Sequence, residues 1–296
     1  MSLFKRSKPM LKLTDNDFNR LVAYMKTNYG INLEKKRILI EGRLSNMVTQ
    51  RGFKDFKEFL DFAFADKTGN ETMQLVNKLT TNHTYFLREP EHFEYLKTVV
   101  LPYLEQTVTD HDMRIWCAAS STGQEPYTIV MTMDEYFGAK ASAWNLKILA
   151  TDLDTDVLKK AKAGIYTAEM VKDVPAEWLR KYFNRIDNNT YQVIDRIRNM
   201  VEFRQFNLMD KIVCRKPYHL ISCRNVMIYF EMETKNALVE RFYDVTQEGG
   251  YLFIGHAESV GKNTRYTYVK PAVYRRLSEK DKEAAEKSRF RRYKTD

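Results

Sequence analysis

The stretch from Met113 to Tyr127, MRIWCAASSTGQEPY, decides the fold prediction because an apolar run gives way to small residues and then to a helix start. Pro126 suits the first turn of a helix, where its missing N–H costs no hydrogen bond, and Gly138 is placed to end that helix. This order of strand, loop and helix is typical of a nucleotide-binding sheet. A dinucleotide fingerprint has the glycine-rich form G-x-G-x-x-G, whereas this loop has one glycine.

Short apolar runs alternate with helical patterns along the rest of this region. Strands are predicted at 113–118, 146–151, 201–207, 218–223 and 250–255, and helices at 126–137, 155–163 and 232–246. Such alternation predicts an α/β fold with a mainly parallel sheet that helices cover on both faces. The ligand of such a sheet lies at the carboxyl ends of the strands, beside the first strand, where the strand order reverses.

The residues that follow the predicted strands are therefore candidates for a ligand site. In chain order they are Ala118 to Glu125, Asp152, Asn207 with Leu208, and Arg224 with Asn225. A carboxylate at the end of the second strand is placed to accept hydrogen bonds from ribose hydroxyls. Asp154 lies nearer the next helix than Asp152 does and is the better candidate for its N-cap.

Glu125 gives the loop after the first strand a distinctive charge. It stands at the start of the predicted helix, where the positive end of the helix normally binds a pyrophosphate. A carboxylate there repels an anion and accepts a ligand with a positive centre. S-adenosylmethionine, with its sulfonium, ammonium and ribose groups, fits better than NAD or ATP, and the chain has no GxxxxGK[ST] motif.

Residues 1–78 are predicted to form a helical domain. Thr14 offers an N-cap for a helix that ends near Gly30, and further helices are expected at 33–50, 53–65 and 71–79. The domain carries 15 Lys and Arg against nine Asp and Glu, so it holds most of the chain's net charge of +9. A basic domain favours an acidic or phosphate-bearing partner, although charged faces also serve solubility.

A polar and basic stripe occupies one side of the second predicted helix. At about 100° per residue, the stripe collects Lys36, Arg43, Asn46 and Gln50. An acidic helix of a partner protein is the occupant that this pattern favours, and solvation alone is the alternative explanation.

Cysteine usage and hydropathy indicate a cytoplasmic protein. Cys117, Cys214 and Cys223 cannot all pair within the chain and show no C-x-x-C spacing, which favours a reducing compartment. No segment has the ~18 apolar residues of a membrane span, and no apolar core of a signal peptide follows the basic N-terminus. Cys214, His219 and Cys223 lie close in sequence, but a fourth zinc ligand is missing, so no metal site is expected.

Five segments, in this order behind a helical N-terminal region, closely resemble one protein family. They are TNHTYFLRE at 81–89, RIWCAASSTGQEPY at 114–127, ATDLDTDVLKKAKAGIY at 150–166, CRNVMIYF at 223–230 and GGYLFIGHAES at 249–259. The family is the CheR family of chemotaxis-receptor glutamate O-methyltransferases, and the resemblance covers residues 13–277. It implies a Rossmann-like class I S-adenosylmethionine-dependent methyltransferase sheet preceded by a small all-α domain.

The resemblance also implies a domain organisation. The expected parts are a receptor-docking helical domain at 1–78, a linker with a cofactor-site motif at 79–112, a methyltransferase domain at 113–277 that contains a small polar hairpin at 184–200, and a basic tail at 278–296.

The resemblance adds residues to the expected site. With the strand ends, it assigns S-adenosylmethionine binding to Asn82, Thr84, Arg88, Ala118, Glu125, Asp152, Asn207, Leu208, Arg224 and Asn225. Arg88 and Tyr229 are implied to lie nearest the transferred methyl group and to be catalytic. Arg88 is expected to orient the acceptor carboxylate more than it activates it, because tight pairing weakens a nucleophile.

The implied reaction transfers a methyl group from S-adenosylmethionine to a receptor glutamate, which yields a glutamyl methyl ester and S-adenosylhomocysteine. A carboxylate is already ionised at neutral pH, so no strong general base is required. The implied partners are the cytoplasmic methylation helices of chemotaxis receptors, which would dock on the basic stripe. We expect a monomer that neither binds nucleic acid nor inserts into a membrane.

Two segments depart from the family pattern. Gln124 stands where the family commonly has a second glutamate, but Glu125 is retained. Some members tether the receptor's C-terminal peptide through an inserted antiparallel unit with a glycine-bearing loop. This chain has no glycine between Gly164 and Gly249, and its hairpin turns at the short segment 187–189, so tether independence is predicted.

Two rival functions were weighed. The basic composition suggests a nucleic-acid methyltransferase, but the fourth strand is followed by Arg-Asn-Val-Met where an amino-methylating enzyme has a Pro-Pro-aromatic motif. No cysteine follows a proline, as a cytosine C5 enzyme would need. A non-catalytic module that binds S-adenosylmethionine and signals through a partner is the other alternative, and only turnover separates it from an enzyme.

Overall fold

A computed structural model describes residues 10–80, 82–279 and 281. The chain forms two compact units that meet in sequence between residues 81 and 82. Part of the basic tail predicted at 278–296 therefore lies outside the described residues.

Four helices make up the described part of the first unit, residues 10–80. They are α1 (Asp15–Tyr29), α2 (Arg37–Gln50), α3 (Phe56–Ala65) and α4 (Asn70–Leu79). The predicted boundaries of α1 are confirmed, because the Thr14 hydroxyl accepts a hydrogen bond from the Asp17 N–H at 3.1 Å and Gly30 ends the helix at φ 71°. The core of this unit is apolar and includes the fully buried Leu21, Ile40 and Leu44.

Two helices of the first unit begin later than the sequence predicts. The helix expected from residue 33 begins at Arg37, because the Asn32 side chain accepts the Glu34 N–H at 3.0 Å and forms a turn there. The helix expected from residue 53 begins at Phe56, because the Asp55 carboxylate accepts the Glu58 N–H at 2.9 Å and caps it. Polar side chains that bond to nearby backbone therefore set both starts.

A seven-stranded sheet organises the second unit, in the order β6-β2-β1-β7-β8-β10-β9. Its strands are β1 (Ile115–Cys117), β2 (Ile148–Asp152), β6 (Val201–Gln205), β7 (Tyr218–Cys223), β8 (Thr246–Ile254), β9 (Thr267–Lys270) and β10 (Val273–Arg275). The first five named here pair in parallel, and β10 pairs antiparallel with both β8 and β9. The mainly parallel α/β prediction is confirmed, whereas β9 and β10 were not predicted.

Helices cover this sheet. The described helices are α5 (Glu91–Tyr95), α6 (Leu101–Thr107), α7 (Gln124–Phe137), α8 (Thr155–Ala163), α9 (Ala176–Tyr182), α10 (Asp195–Arg198) and α11 (Met232–Val245). The helix expected from residue 126 begins two positions earlier, at Gln124, and ends at Gly138 as predicted. Asp154 caps α8, as expected, through hydrogen bonds from the N–H groups of Asp156 and Val157.

The segment 79–112, expected as a linker, contains structure of its own. A π turn (Leu96–Val100) joins α5 to α6, so the chain is helical from Glu91 to Thr107. Val100 and Leu101 of this helical run are fully buried in the same hydrophobic core as Ile115 of β1. The segment is therefore a packed layer of the second unit.

The polar hairpin expected at 184–200 belongs to a second, three-stranded antiparallel sheet. Its order is β3-β5-β4, with β3 at Ile165–Thr167, β4 at Phe183–Arg185 and β5 at Thr190–Val193. Asp187 accepts the Asn189 N–H at 2.7 Å and shapes the turn between β4 and β5. Residues 195–198 form α10, so the hairpin is shorter than expected and gains a third strand from before α9.

None of the helices in the part of the chain that the structure describes is both long enough and apolar enough to span a membrane.

Candidate active site

The strand order places a crevice beside β1. The chain runs from β1 to β2 and then to β6 on one side, and continues with β7 and β8 on the other, so the order reverses between β1 and β7. Parallel strands on both sides of such a reversal leave a gap at their carboxyl ends, where ligands bind. The loop Ala118 to Glu125 leaves the sheet at this point.

Strained backbone and glycine shape that loop. Ser121 has φ 47° and Gly123 has φ 97°, a left-handed conformation that favours glycine. A Cβ atom at Gly123 would lie 2.9 Å from the Tyr166 hydroxyl oxygen and 3.0 Å from the Ala161 Cβ. The single glycine of the loop is therefore needed for the turn and for close packing against α8.

Asp152 is at the centre of a cluster of hydrogen bonds at the end of β2. Its carboxylate accepts the Ser121 N–H at 2.8 Å through one oxygen and the Asp154 N–H at 3.0 Å through the other. The Asn82 side-chain amide donates to the Asp154 carboxylate at 2.9 Å, and the Asn82 backbone carbonyl accepts a hydrogen bond from the Ser121 hydroxyl at 3.2 Å. Ser121 and Asp154 thus hold the Asp152 carboxylate directly, and Asn82 supports both of them.

Burial raises the pKa of Asp152 from its ordinary 3.8 to about 6, with the neighbouring Asp154 charge adding to the effect. Each carboxylate oxygen accepts one backbone N–H, and each has a further lone pair. A pair of vicinal hydroxyls, as in a ribose, could donate to those lone pairs. The donor set therefore fits the nucleoside part of S-adenosylmethionine.

The buried Arg224 links two half-buried carboxylates. Its guanidinium lies 2.8 Å from the Glu125 carboxylate and 3.1 Å from that of Glu89, and it also donates to the Arg88 carbonyl. The Arg224 side chain is 1% exposed, so this pairing takes place away from solvent. Burial would lower the pKa of Arg224, but the charges of Glu125 and Glu89 raise it above its usual value.

Glu125 is consequently not the free negative charge that the sequence suggested. Its carboxylate accepts the Ser222 hydroxyl at 2.6 Å as well as pairing with Arg224. The argument for a ligand with a positive centre therefore depends on the whole cluster, because the buried Arg224 guanidinium pairs with Glu125. Glu89, Glu125 and Arg224 together still carry one net negative charge when both carboxyls are ionised.

Glu89 accepts hydrogen bonds from three residues of this cluster. It accepts the Asn225 amide at 3.1 Å and the His256 N–H at 3.2 Å in addition to Arg224. Burial would raise its pKa, but the hydrogen bonds and the Arg224 charge hold the pKa well below its usual range. Glu89 and Asn225 have φ of 57° and 59°, a costly conformation for residues other than glycine.

The remaining residues assigned from the resemblance lie around these two clusters. Arg88 donates to the His83 carbonyl at 2.8 Å, and its guanidinium lies 5.7 Å from the Tyr85 ring centroid. Tyr229 ends the turn Met227–Tyr229 that follows β7, and its side chain is half-buried. Thr84 is half-buried between Asn82 and Arg88 in the chain.

Asn207 and Leu208 follow β6, which pairs with β2 up to Asp152. The Asn207 side chain accepts the Met209 N–H at 3.0 Å, and the buried Leu208 gives its carbonyl to the Arg241 guanidinium at 2.7 Å. Ala118 is buried and donates its N–H to the Ser222 carbonyl at 2.8 Å. These residues therefore flank Asp152 and Glu125 from the strands on either side.

Two sets of residues offer potential metal ligands. One is the sequence set of Cys214, His219 and Cys223, and the other is a cluster in the structure. His219 is held by Arg114, whose N–H lies 3.0 Å from His219 Nδ1, and burial lowers the pKa of His219 to about 4. Glu89, His92 and His256 form a different cluster, with ligand atoms within 4.8 Å of one another. Both Glu89 oxygens already accept hydrogen bonds, from Arg224 on one and from Asn225 on the other.

The expected docking stripe in the first unit is only partly a free surface. Lys36 stands at the N-cap of α2, and Lys36, Asn46 and Gln50 are exposed. Arg43 instead donates to the carbonyls of Leu79 at 2.9 Å and Thr80 at 3.0 Å, at the end of α4. The stripe is therefore not uniform, because Arg43 caps a neighbouring helix.

Sequence reasoning missed several members of the site. Glu89, Ser222 and Glu258 all bond to assigned residues, whereas Ser121 lay within the predicted stretch Ala118 to Glu125. Glu89 and Glu258 lay inside the quoted motifs TNHTYFLRE and GGYLFIGHAES, so the motifs contained a signal that the strand-end argument did not use. Ser222 lay inside a strand and gave no signal.

The parallel sheet and the clusters around Asp152 and Arg224 fit a methyltransferase that binds S-adenosylmethionine. A family model described as "CheR methyltransferase, SAM binding domain" matches residues 82–274, and one described as "CheR methyltransferase, all-alpha domain" matches residues 16–80. The chain belongs to the CheR methyltransferase family and is an S-adenosylmethionine-dependent methyltransferase of chemotaxis.

Relatives from several bacteria match most of the chain. The chemotaxis protein methyltransferase of Borreliella burgdorferi is 40% identical over 272 residues, which cover 90% of this chain and 96% of the relative. The Escherichia coli protein of the same description is 34% identical and covers 92% of this chain and 95% of the relative. Chemotaxis protein methyltransferase 2 of Vibrio cholerae is 35% identical, and the match covers 87% of this chain and 90% of the relative.

Proposed function

We propose that this protein transfers a methyl group from S-adenosylmethionine to glutamate side chains of chemotaxis receptors, forming glutamyl methyl esters in the cytoplasm. The observation that carries the proposal is the match of both family domains, in order, over residues 16–80 and 82–274. The bonded clusters around Asp152 and Arg224 support it, because both lie at the strand ends where the family resemblance assigns the cofactor.

Asp152 would accept the ribose hydroxyls, and Asn82 and Ser121 would hold Asp152 in position through Asp154 and the backbone. Asn207 and Leu208 would lie beside the nucleoside, because β6 pairs with β2. The net negative charge of Glu89, Glu125 and Arg224 favours a ligand that is positively charged. No metal takes part in the proposed reaction.

S-adenosylmethionine supplies an activated methyl group on a positively charged sulfur. A receptor glutamate oxygen forms the new bond to the methyl carbon, the carbon–sulfur bond breaks, and its electron pair stays on sulfur. No proton is released, because the attacking carboxylate is ionised at neutral pH. The protein's contribution is alignment, for which intramolecular models allow about 7 to 11 kcal/mol.

Arg88 and Tyr229 are proposed to orient the acceptor carboxylate. A guanidinium can bind one carboxylate through two parallel hydrogen bonds, and a tyrosine hydroxyl can fix a further lone pair. Arg88→Ala is expected to lower kcat as well as receptor affinity. Unchanged turnover with weaker receptor binding would contradict this role.

The acceptor is proposed to be a methylation helix of a receptor, docked on the exposed polar face of α2 that carries Lys36, Asn46 and Gln50. Charge complementarity supports this, since such helices carry several glutamates. We propose that the enzyme acts as a monomer and does not bind nucleic acid.

Tether independence remains a prediction. The sheet β3-β5-β4 contains the segment in question, and its β4–β5 turn spans only residues 186–189. Titration of the protein with a receptor C-terminal peptide, followed by calorimetry, is expected to show no micromolar binding. Micromolar affinity would overturn the prediction.

One assay tests the main proposal. Tritium transfer from labelled S-adenosylmethionine to receptor membranes is expected to give a label that mild base releases, as methyl esters require. Stable label on nucleic acid would indicate the nucleic-acid rival, and cofactor binding without any transfer would indicate the non-catalytic module.

A further inference from the structure

Glu258, in the segment Gly255-His-Ala-Glu258, is a buried carboxylate that the reaction above does not use. It is 9% exposed and accepts backbone N–H groups from Gly255 at 2.6 Å, Asn225 at 2.9 Å and Ile228 at 3.1 Å. Burial raises the pKa of this carboxyl, and the backbone hydrogen bonds oppose that rise. One side chain thus satisfies N–H donors from two separate loops.

Two of the three donors, Asn225 and Ile228, belong to the segment that carries assigned site residues. Asn225 has φ 59° and bonds Glu89 through its amide, and Ile228 lies in the turn Met227–Tyr229. The N–H groups at the start of a short turn have no partner within it, so an acceptor from elsewhere must satisfy them. Glu258 supplies that acceptor directly beneath the segment from Asn225 to Tyr229.

Gly255 allows this approach. A Cβ atom there would lie 2.9 Å from the Asn225 backbone nitrogen and 2.9 Å from Glu258 Oε2. Backbone atoms cannot yield to such a contact as a flexible side chain could. Gly255 and Glu258 therefore act together. Because Gly255 has no side chain, Glu258 has room to accept its backbone hydrogen bonds.

We propose that Glu258 is a positioning residue: with Gly255 it fixes the segment from Asn225 to Tyr229 and so sets the positions of a cofactor-binding side chain and of the tyrosine beside the acceptor. The Tyr229 part of this inference rests on the proposed function. The part that concerns cofactor affinity does not, because it is measured without an acceptor.

Two variants test separately the two ends of the segment, Asn225 and Tyr229. In Glu258→Gln the amide oxygen can still accept from Gly255 and Asn225, but the amide nitrogen then faces the Ile228 N–H, and two donors repel. We expect kcat to fall by up to about a hundredfold through misplacement of Tyr229, with little change in S-adenosylmethionine affinity. In Gly255→Ala the added methyl displaces Asn225, and cofactor affinity is expected to weaken by about tenfold.

The experiment measures cofactor affinity by calorimetry, methyl transfer to receptor membranes, and melting temperature for both variants. Glu240→Gln is the matched control, since Glu240 pairs with Arg265 at the surface. A Tyr229→Phe background adds a further readout: the kcat loss from Glu258→Gln is expected to shrink there, because coupled residues are not additive.

Each result bears on the proposal. Kinetics of Glu258→Gln that equal those of Glu240→Gln would overturn it, as would full additivity with Tyr229→Phe. If Glu258→Gln does not fold, Gly255→Ala decides through its cofactor affinity, and failure of both to fold would assign Glu258 to core stability alone. A wild-type protein that transfers no methyl group would instead reject the proposed function, while the affinity measurement still tests the positioning of Asn225.

Discussion

In the second unit the charges that matter lie inside the protein, whereas in the first unit the charged face lies at the surface. Arg224 is 1% exposed and pairs with Glu125 and Glu89, whose side chains are 12% and 15% exposed. In the first unit, the pair between Arg37 and Asp15 leaves these side chains 35% and 93% exposed.

Buried charges and exposed charges can serve different roles. A buried pair is costly to desolvate and is held only by full hydrogen bonding, so it fixes geometry. An exposed charge interacts weakly and is screened by salt, but it can steer a partner before contact. Chemistry therefore depends on the second unit, and encounter with the receptor is proposed for the first.

The largest expected effect comes from breaking the buried pair. Arg224→Ala leaves Glu125 and Glu89 without a counter-charge, so the free energy of unfolding is expected to fall by about 3 to 5 kcal/mol. Cofactor binding should be lost as well. Urea denaturation and calorimetry measure both.

The surface control for this change is Arg204→Ala, since Arg204 pairs with Glu202 at 2.8 Å while 64% exposed. Its effect on unfolding is expected to stay within about 1 kcal/mol. An equal loss of unfolding free energy in Arg224→Ala and Arg204→Ala would contradict the distinction between buried and exposed charges.

A smaller effect is expected from Asp152→Asn, which removes a charged acceptor of the ribose hydroxyls. S-adenosylmethionine affinity should weaken by about 1.5 to 3 kcal/mol at pH 8. In the wild type, affinity should fall as the pH drops below about 6, where Asp152 becomes protonated.

Stability and cofactor affinity are expected to depend on pH in opposite directions. Because folding raises the pKa of Asp152, its contribution to stability is present below about pH 3.8 and is lost as the pH rises through about 6.

Because Asp152 is protonated in acid, the difference in S-adenosylmethionine affinity between Asp152→Asn and the wild type is expected to narrow there. Calorimetric titrations at pH 5 and pH 8 test this, and a constant gap would contradict the role of the ionised carboxylate.

The cap of α1 tests local order in the first unit. Thr14→Ala removes the acceptor for the Asp17 N–H, and a typical N-cap loss costs about 1 kcal/mol of stability. Methyl transfer at low temperature should be unchanged. An unchanged melting temperature would show that the cap contributes nothing to this unit.

The smallest effect is expected from Lys36→Glu, on the exposed face. Methylation of receptor membranes at low salt should slow, by no more than the roughly 1 kcal/mol of one surface charge, and the difference should vanish at high salt. S-adenosylmethionine affinity should not change. Lys67→Glu, at an exposed position of the same unit, is the control. Arg43→Glu is a less direct test, because Arg43 also caps α4.

Periodic features of this protein could be predicted from the amino-acid sequence. Alternating apolar runs predicted the parallel sheet, the bounds of β7 and α8 were predicted to the residue, and Asp152 and Asp154 were separated into ligand and cap candidates. These features are local: strand pattern, cap chemistry and turn glycine act over a few residues. The strand β9 was missed because it is mostly exposed, and β10 because its three residues are too few for a clear local pattern.

Which charged side chains pair with one another could not be predicted before the folded structure was known. Glu89 and Arg224 are 135 positions apart in the chain, and Arg224 pairs with Glu125 across 99 positions, so the charge at this place is that of the cluster and not of Glu125 alone. The same holds for Arg43, whose partners at the end of α4 no helical periodicity reveals. Sequence spacing fixes which side of a helix or strand a charge occupies, but its effective charge depends on partners that folding brings from elsewhere, since pairing and burial act through space.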